Sequence, residues 1–213
     1  MPGPDVVRAF ALEIGLGALL VLVFVANLCI RSVDRRVIGW IASWGVLVLA
    51  VTSFLVMPAP PALRGMFVQD GLAIFAKRLF LAATFIGLLA ALGNAHPAFV
   101  RRAGEYHLFI LSSLLGMFVL VSARDLILLF VAFELMSIPL YVLSGFLKRQ
   151  EEAVEAALKF FLVGSVSSAV LVYGLSFVYG AVRSTDLATV AQASTGIQPF
   201  LTLGLLTAFA GFA

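Results

Sequence analysis

Six apolar runs divide this chain, at about 9–30, 37–57, 71–93, 106–122, 125–147 and 153–181. A helix rises about 1.5 Å per residue and a hydrocarbon core is about 30 Å thick, so about 20 apolar residues are enough to cross. Nearly every run reaches that length. Charged residues make up 12% of the 213, about half the share in a soluble domain. The alternating pattern of a membrane barrel strand is absent from the runs. The expected fold is an all-α polytopic membrane protein with six transmembrane helices and the start of a seventh. The seventh run opens at Pro199 and reaches Ala213, fifteen residues that fall short of a comfortable span. The sequence reads as if it stops inside a helix. The first run is longer than a signal-peptide core and is followed by basic residues, so it is read as a true span.

The links between runs are short or sharply marked. "MPAPPALRG" (57–65) ends the second run. The third is awkward because Lys77 and Arg78 fall near its start. Counted from Leu79 it is only roughly 22 Å long, whereas snorkelling basic side chains permit the longer reading. "SARD" (122–125) joins the fourth and fifth runs so tightly that their helices must be antiparallel neighbours, with Asp125 or Ser122 as a helix cap. The sixth run exceeds a minimal span, so it tilts or its first turns lie in the interface.

The lone Cys29 sits in an apolar run and reads as structural. No phosphate-binding loop, dinucleotide fingerprint or metal-ligand spacing is present. The net charge of +3 is assigned to membrane edges and lipid, with no nucleic-acid partner. Arg31, Arg35, Arg36, Arg101, Arg102, Lys148 and Arg149 follow the odd-numbered spans, against Arg8, Arg64, Arg124 and Arg183 on the other side. That bias predicts an amino terminus facing away from the cytoplasm.

One carboxylate stands out. In "LILLFVAFELMSIPLYV" (126–142), Glu134 lies nine residues past Asp125, about 14 Å along a helix and near the bilayer centre. A charge at that depth costs a few kcal/mol and glutamate is too short to snorkel out. In general, apolar burial favours a neutral carboxyl and a nearby cation favours the carboxylate. A group balanced between the two takes up and releases protons. The bland alternative is a protonated glutamate making one interhelical hydrogen bond. Pro139 strengthens the functional reading, because it leaves the carbonyl of Leu135 without its helical donor. Prolines are also ordinary in membrane helices.

The next run opens "EEAVEAALKFFLVGSVSSAV" (151–170). Glu155 and Lys159 stand at i,i+4 in the favourable order. Lys159 is either the cation facing Glu134 or a water chain, or half of an interfacial pair with its side chain snorkelling out. Gly164, Ser165 and Ser168 give a small, polar stripe suited to close packing and to water. Weaker candidates follow. Glu13 reads as interfacial. Lys77 and Arg78 read as meeting Asp70 in an interfacial cluster, or as lining an access path. His107, at a helix start, titrates in a useful range but is usually structural there. His96 reads as a solvated loop residue.

The stretch "AGEYHLFILSSLLGMFVLVSARDLILLFVAFELMSIPLYVLSGFLKR", with the "EEAVEAALKFFLVGSVSSAVLVYGLSFVYGA" that follows it, resembles subunit N of bacterial NADH-quinone oxidoreductase, respiratory complex I. That subunit is similar to mitochondrial subunit 2 and to the multisubunit cation/proton antiporters. The resemblance runs from about Asp70 to Ala181. It implies the amino-terminal part of an antiporter-like fold, which in the family has inverted five-helix repeats forming proton half-channels. The family's fifth-helix glutamate corresponds to Glu134, and its lysine at the start of the next helix to Lys159. Proton transfer is thus expected at these two, with Pro139, Glu155, Ser165, Ser168, Lys77, Arg78 and His107 in support. The expected organisation is 1–69 for two helices and a loop, 70–104 for the third helix and its loop, and 105–213 for the first part of the repeat.

The resemblance also implies partners: other membrane-arm subunits, antiporter-like ones among them. FMN and iron–sulfur clusters belong to partner subunits, quinone is the substrate of the complex, and no cofactor is expected in this chain. The place is the bacterial inner membrane, with the amino terminus periplasmic. Family members are much longer than this chain, so the second repeat and a central lysine are missing from it. Two other readings stand beside this one. The first is a subunit of a multisubunit cation/proton antiporter. The second is a structural subunit without an ion path, in which enlarging Gly164 harms assembly and neutralising Glu134 does nothing.

Overall fold

A computed structural model describes residues 8–29, 36–94, 97–194 and 199–212. Six long helices carry the apolar runs: α1 (Ala11–Cys29), α2 (Arg36–Thr52), α3 (Gly71–Leu92), α4 (Ala103–Ser122), α5 (Leu126–Ser144) and α6 (Glu151–Val182). All six are long and apolar enough to cross a membrane. The short helix α7 (Leu187–Ala193) and the apolar α8 (Pro199–Phe212) follow. The chain is a multi-pass membrane protein.

One boundary differs from expectation. The second helix stops at Thr52 and closes with a 3₁₀ turn at Ser53–Leu55, ahead of the prolines. The Pro-rich stretch then forms a small antiparallel pair, β1 (Ala59–Ala62) with β2 (Phe67–Gln69). Proline is tolerated there because an edge strand needs few ladder donors. The third helix takes the longer reading and includes Lys77 and Arg78.

Helix starts follow side-chain capping. Asp70 Oδ1 accepts from the backbone N–H of Ala73 at 2.8 Å and opens α3. Asp125 Oδ1 accepts from Ile127 and Leu128 at 2.9 and 3.1 Å and opens α5. Asp186 does the same for α7 through Thr189. Each satisfies backbone donors that a helix start leaves orphaned. Ser122, the alternative cap for α5, lies inside α4.

Leu12, Leu16, Leu19 and Val23 of α1 share one buried core with residues of α2, α3 and α4, including Ile38, Val46, Leu81, Leu88, Leu111 and Phe118. On the far side of α4 stands α5. A Cβ built at Gly116 would lie 2.4 Å from the backbone N of Met136, so the two helix backbones touch there. Ser113 Oγ, a turn away, donates to the Met136 carbonyl at 2.9 Å. Then α8 lies antiparallel along α6, with Gly204, Ala208 and Gly211 against Val178, Gly174 and Leu171. Small residues allow this approach, where lipid offers no hydrophobic drive between helices.

One end of the bundle is knitted by backbone hydrogen bonds. Arg124 N–H donates to the Met66 carbonyl, Leu126 N–H to Thr185, and Leu187 N–H to the Arg124 carbonyl. The three-residue link between α4 and α5 is thereby held between the hairpin and the loop after α6. Arg124 adds a 2.7 Å ion pair to Asp70.

Candidate proton-transfer groove

Glu134 sits midway along α5, half-buried, on the wall of a groove between α5 and α6. The groove has a volume of about 690 Å³. Its walls are apolar, with Phe130, Ile138, Phe161 and Val172, but four hydroxyls also line it: Tyr141, Ser165, Ser168 and Ser176. The hydroxyl of Ser168 donates to Glu134 Oε1 across the two helices. A carboxylate that accepts a hydrogen bond is held in one orientation, and the bond is stronger than one between neutral groups.

The local sequence explains the geometry. Helix α6 turns the stripe of Gly164, Ser165 and Ser168 toward α5. Gly164 lies against Tyr141, where an added Cβ would come 2.1 Å from the phenol oxygen. A side chain at 164 would therefore displace the ring from its place over the groove. Pro139 is buried inside α5, and the helix runs on through it. Ser137 Oγ donates back to the Phe133 carbonyl at 2.8 Å, a turn before the proline. The hydroxyls of Ser137 and Ser113 thus serve the α5 backbone around Glu134.

Lys159 does not face Glu134. It forms an ion pair with Glu155 on its own helix, and its side chain is 72% exposed. Lys159 and Ser168 are nine residues apart, about two and a half turns, so they lie on opposite faces of α6. The sequence places both charges near Glu134 along the chain, but helical phase separates them.

The other basic residues differ more sharply from expectation. Lys77 is fully buried and Glu13, expected at the interface, is 7% exposed. The two form an ion pair of 2.5 Å between α3 and α1. Lys77 Nζ also donates to Gln69 Oε1 at 3.0 Å and lies 5.2 Å from the Phe67 ring centroid and 5.8 Å from that of Phe118. The expected cluster with Asp70 is not what forms. Asp70 turns instead to its cap and to Arg124, while Arg78 donates to the Ser53 carbonyl at 2.9 Å and stacks on Phe54. Nothing in the runs themselves marks Glu13 and Lys77 as partners, since the pair joins residues 64 apart. The signal was only that each stood inside a span.

His107 is buried. A carbonyl can only accept, so its Nδ1 carries the proton donated to Ala103 at 2.5 Å. Nε2 has no hydrogen-bond partner among the described residues and lies against Gly39. His96 lies outside the described residues.

Residues 123–213 match the family described as NADH:quinone oxidoreductase/Mrp antiporter, TM. Three curated relatives cover most of the chain. NADH-quinone oxidoreductase subunit N 1 of Thermodesulfovibrio yellowstonii is 36% identical over 95% of the chain and 43% of its own length. Subunit N of Rhodospirillum rubrum is 34% identical over 99% and 43%. F(420)H(2) dehydrogenase subunit N of Methanosarcina mazei is 33% identical over 84% and 38%. Among solved structures, a chain of respiratory complex I from Thermus thermophilus with bound aureothin superposes with a TM-score of 0.75 at 26% identity, covering 94% of this chain and 42% of that one. A chain of the membrane-bound sulfane sulfur reductase, an archaeal respiratory membrane complex, shares the fold, with a TM-score of 0.82 at 21% identity over 96% and 44%. The chain spans less than half the length of these relatives. Over most of its length the chain is thus similar to part of the subunit N proteins, and residues 123–213 match the NADH:quinone oxidoreductase/Mrp antiporter membrane family.

Proposed function

We propose that this chain is a membrane-arm subunit of a proton-pumping NADH-quinone oxidoreductase, and that Glu134 carries the proton in its half-channel. The observation that carries the reading is a carboxyl midway along a membrane helix, facing a hydroxyl-lined groove and bonded to Ser168 across the helix boundary. Intramembrane carboxyls are costly and are commonly parts of proton relays. Glu134 takes a proton from water in the groove and returns it. Ser168 holds the carboxylate oxygen in place when it is charged. The hydroxyls of Tyr141, Ser165 and Ser176 offer stations for the water that feeds it.

Lys159 acts with Glu155 on the outer face of α6 and not by contact with Glu134. Any exchange between the two sites runs through groups beyond this pair. The oxidoreductase chemistry belongs to partner subunits, which hold FMN and iron–sulfur clusters and reduce quinone. Other antiporter-like subunits are the immediate neighbours, in the inner membrane of a bacterium, with the amino terminus periplasmic. A cation/proton antiporter complex is the second reading, since the matched family covers both kinds of protein. Copurification of this chain from native membranes separates them: flavin and iron–sulfur subunits in the purified complex support the first reading, and their absence supports the second.

The functional test is Glu134→Gln in the assembled complex. Proton pumping per quinone reduced should fall several-fold with assembly intact. Lys159→Ala and Glu155→Gln should lower pumping to matching extents, because they remove the two halves of one pair. Unchanged pumping in the assembled Glu134→Gln complex would remove the reading of Glu134 as the proton carrier.

A further inference from the structure

We propose that Glu13, Lys77 and Gln69 form a second proton-exchange site, apart from the Glu134 groove and completed by a bound water. This builds on the reading of the chain as part of a proton-pumping complex.

The three residues come from three elements, α1, α3 and β2, and all are buried. Lys77 Nζ is shared between Glu13 Oε1 at 2.5 Å and Gln69 Oε1 at 3.0 Å. Two polar atoms of the same cluster have no partner among the described residues: Glu13 Oε2, an acceptor, and Gln69 Nε2, a donor. Each belongs to a group that already touches the lysine nitrogen. A buried ion pair of purely structural use is expected to have all its hydrogen-bonding capacity met. This one keeps one acceptor and one donor in reserve, the minimum that a buried water needs.

Among the described residues in direct contact with Lys77 Nζ, Glu13 is the group that can take its proton. The rings of Phe67 and Phe118 close two sides of the ammonium group and offer no proton acceptor. In the exchange, a Lys77 Nζ–H bond breaks as a Glu13 Oε1–H bond forms. The ion pair becomes an amine beside a carboxylic acid. Net charge is zero on both sides of the step, so no isolated buried charge appears. Gln69 lies in the strand immediately before α3, and the exposed Asp70–Arg124 pair comes next in the chain. A water held by Glu13 Oε2 and Gln69 Nε2 would therefore stand near the hairpin end of the bundle, close in the chain to the exposed Asp70–Arg124 pair.

The test is Lys77→Arg in the intact complex, run beside Glu134→Gln. Arginine keeps a positive charge for Glu13 but does not give up a proton. The expected result is full assembly with proton pumping per quinone reduced lowered several-fold. Normal pumping in the assembled Lys77→Arg complex would overturn the proposal. It would leave the role of Glu134 standing, because Glu134→Gln decides that separately. Should the larger guanidinium block assembly, the double variant Glu13→Gln with Lys77→Gln takes its place. It removes both charges and leaves none unpaired, the replacement that buried pairs tolerate best. Turnover-triggered infrared difference spectra of a Glu134→Gln complex should then show a protonated-carboxyl band that is lost when Glu13→Gln and Lys77→Gln are added. Identical spectra and unimpaired pumping would refute the exchange site.

Discussion

At the scale of single residues, the central contact is the hydroxyl of Ser168 on the carboxyl of Glu134. A hydrogen bond to a charged group contributes about 1.5–3 kcal/mol, equivalent to about a tenfold or larger change in an equilibrium. Ser168→Ala should therefore slow proton uptake by about tenfold, whereas Ser168→Thr keeps the hydroxyl and should pump nearly normally. Stopped-flow proton uptake on the assembled complex reads the difference. Equal rates for the two variants would mean that the hydroxyl does not tune the carboxyl. The glutamate was legible in the sequence because it was the one carboxylate in the apolar stretch 126–142, far from either end of its run. Its serine was legible as part of a polar stripe. Of the two readings of Lys159, the pair with Glu155 is the one that forms, because nine residues of helix put Lys159 on the face opposite Ser168. Glu13 and Lys77 were each seen, yet their pairing depends on how α1 lies against α3, and neither run encodes that.

At the scale of elements, glycines set how closely the helices approach. Gly174 of α6 meets the backbone of Ala208 on α8, with an added Cβ only 2.3 Å from its nitrogen. Backbone cannot step aside as a side chain can. Gly174→Leu should therefore separate α6 from α8 and lower the yield of assembled complex, as read on native gels. Gly164→Ala meets only the Tyr141 ring. It should displace that ring and lower pumping while assembly survives. If Gly164→Ala instead abolishes assembly and leaves the pumping of the residual complex normal, the stripe is a packing surface only. The capping residues make a different prediction. Hydrogen bonds from the Thr189 hydroxyl and then its backbone N–H hold the Asp186 carboxyl below the usual carboxylate value. A group lowered on folding contributes fully above its unfolded value and loses that contribution as the pH falls through the folded one. The first turn of α7 should thus stay protected from hydrogen exchange at neutral pH and open below about pH 4. Asp186→Ala should abolish that pH dependence. The short pair β1 and β2 was missed because "MPAPPALRG" carries no alternating pattern, and prolines argue against strands in general.

At the scale of the whole molecule, the number and order of the spans followed directly from hydropathy and length, because bilayer thickness leaves few alternatives. The packing of those spans did not. Helix α4 serves two groups of neighbours: its Leu111, Leu114 and Phe118 pack with α1, α2 and α3, while Ser113 and Gly116 meet α5. A sequence pattern shows an apolar helix all round and cannot assign those faces. The same arrangement puts the two polar sites in different places. Glu134 lies in a groove walled by α5 and α6, and the Glu13–Lys77 pair lies between α1 and α3 beneath the hairpin. Single substitutions at the two sites share no contact and should act independently, so their effects on pumping should add on a free-energy scale within about 0.5 kcal/mol.

The measurement that bears most directly on the account is proton pumping per quinone reduced in membranes whose complex carries Glu134→Gln, with assembly checked on the same preparation. The account predicts a fully assembled complex whose pumping is lowered several-fold. An assembled complex that pumps at the unmodified ratio would contradict it, and Glu134 would then be a structural hydrogen bond to Ser168 and nothing more.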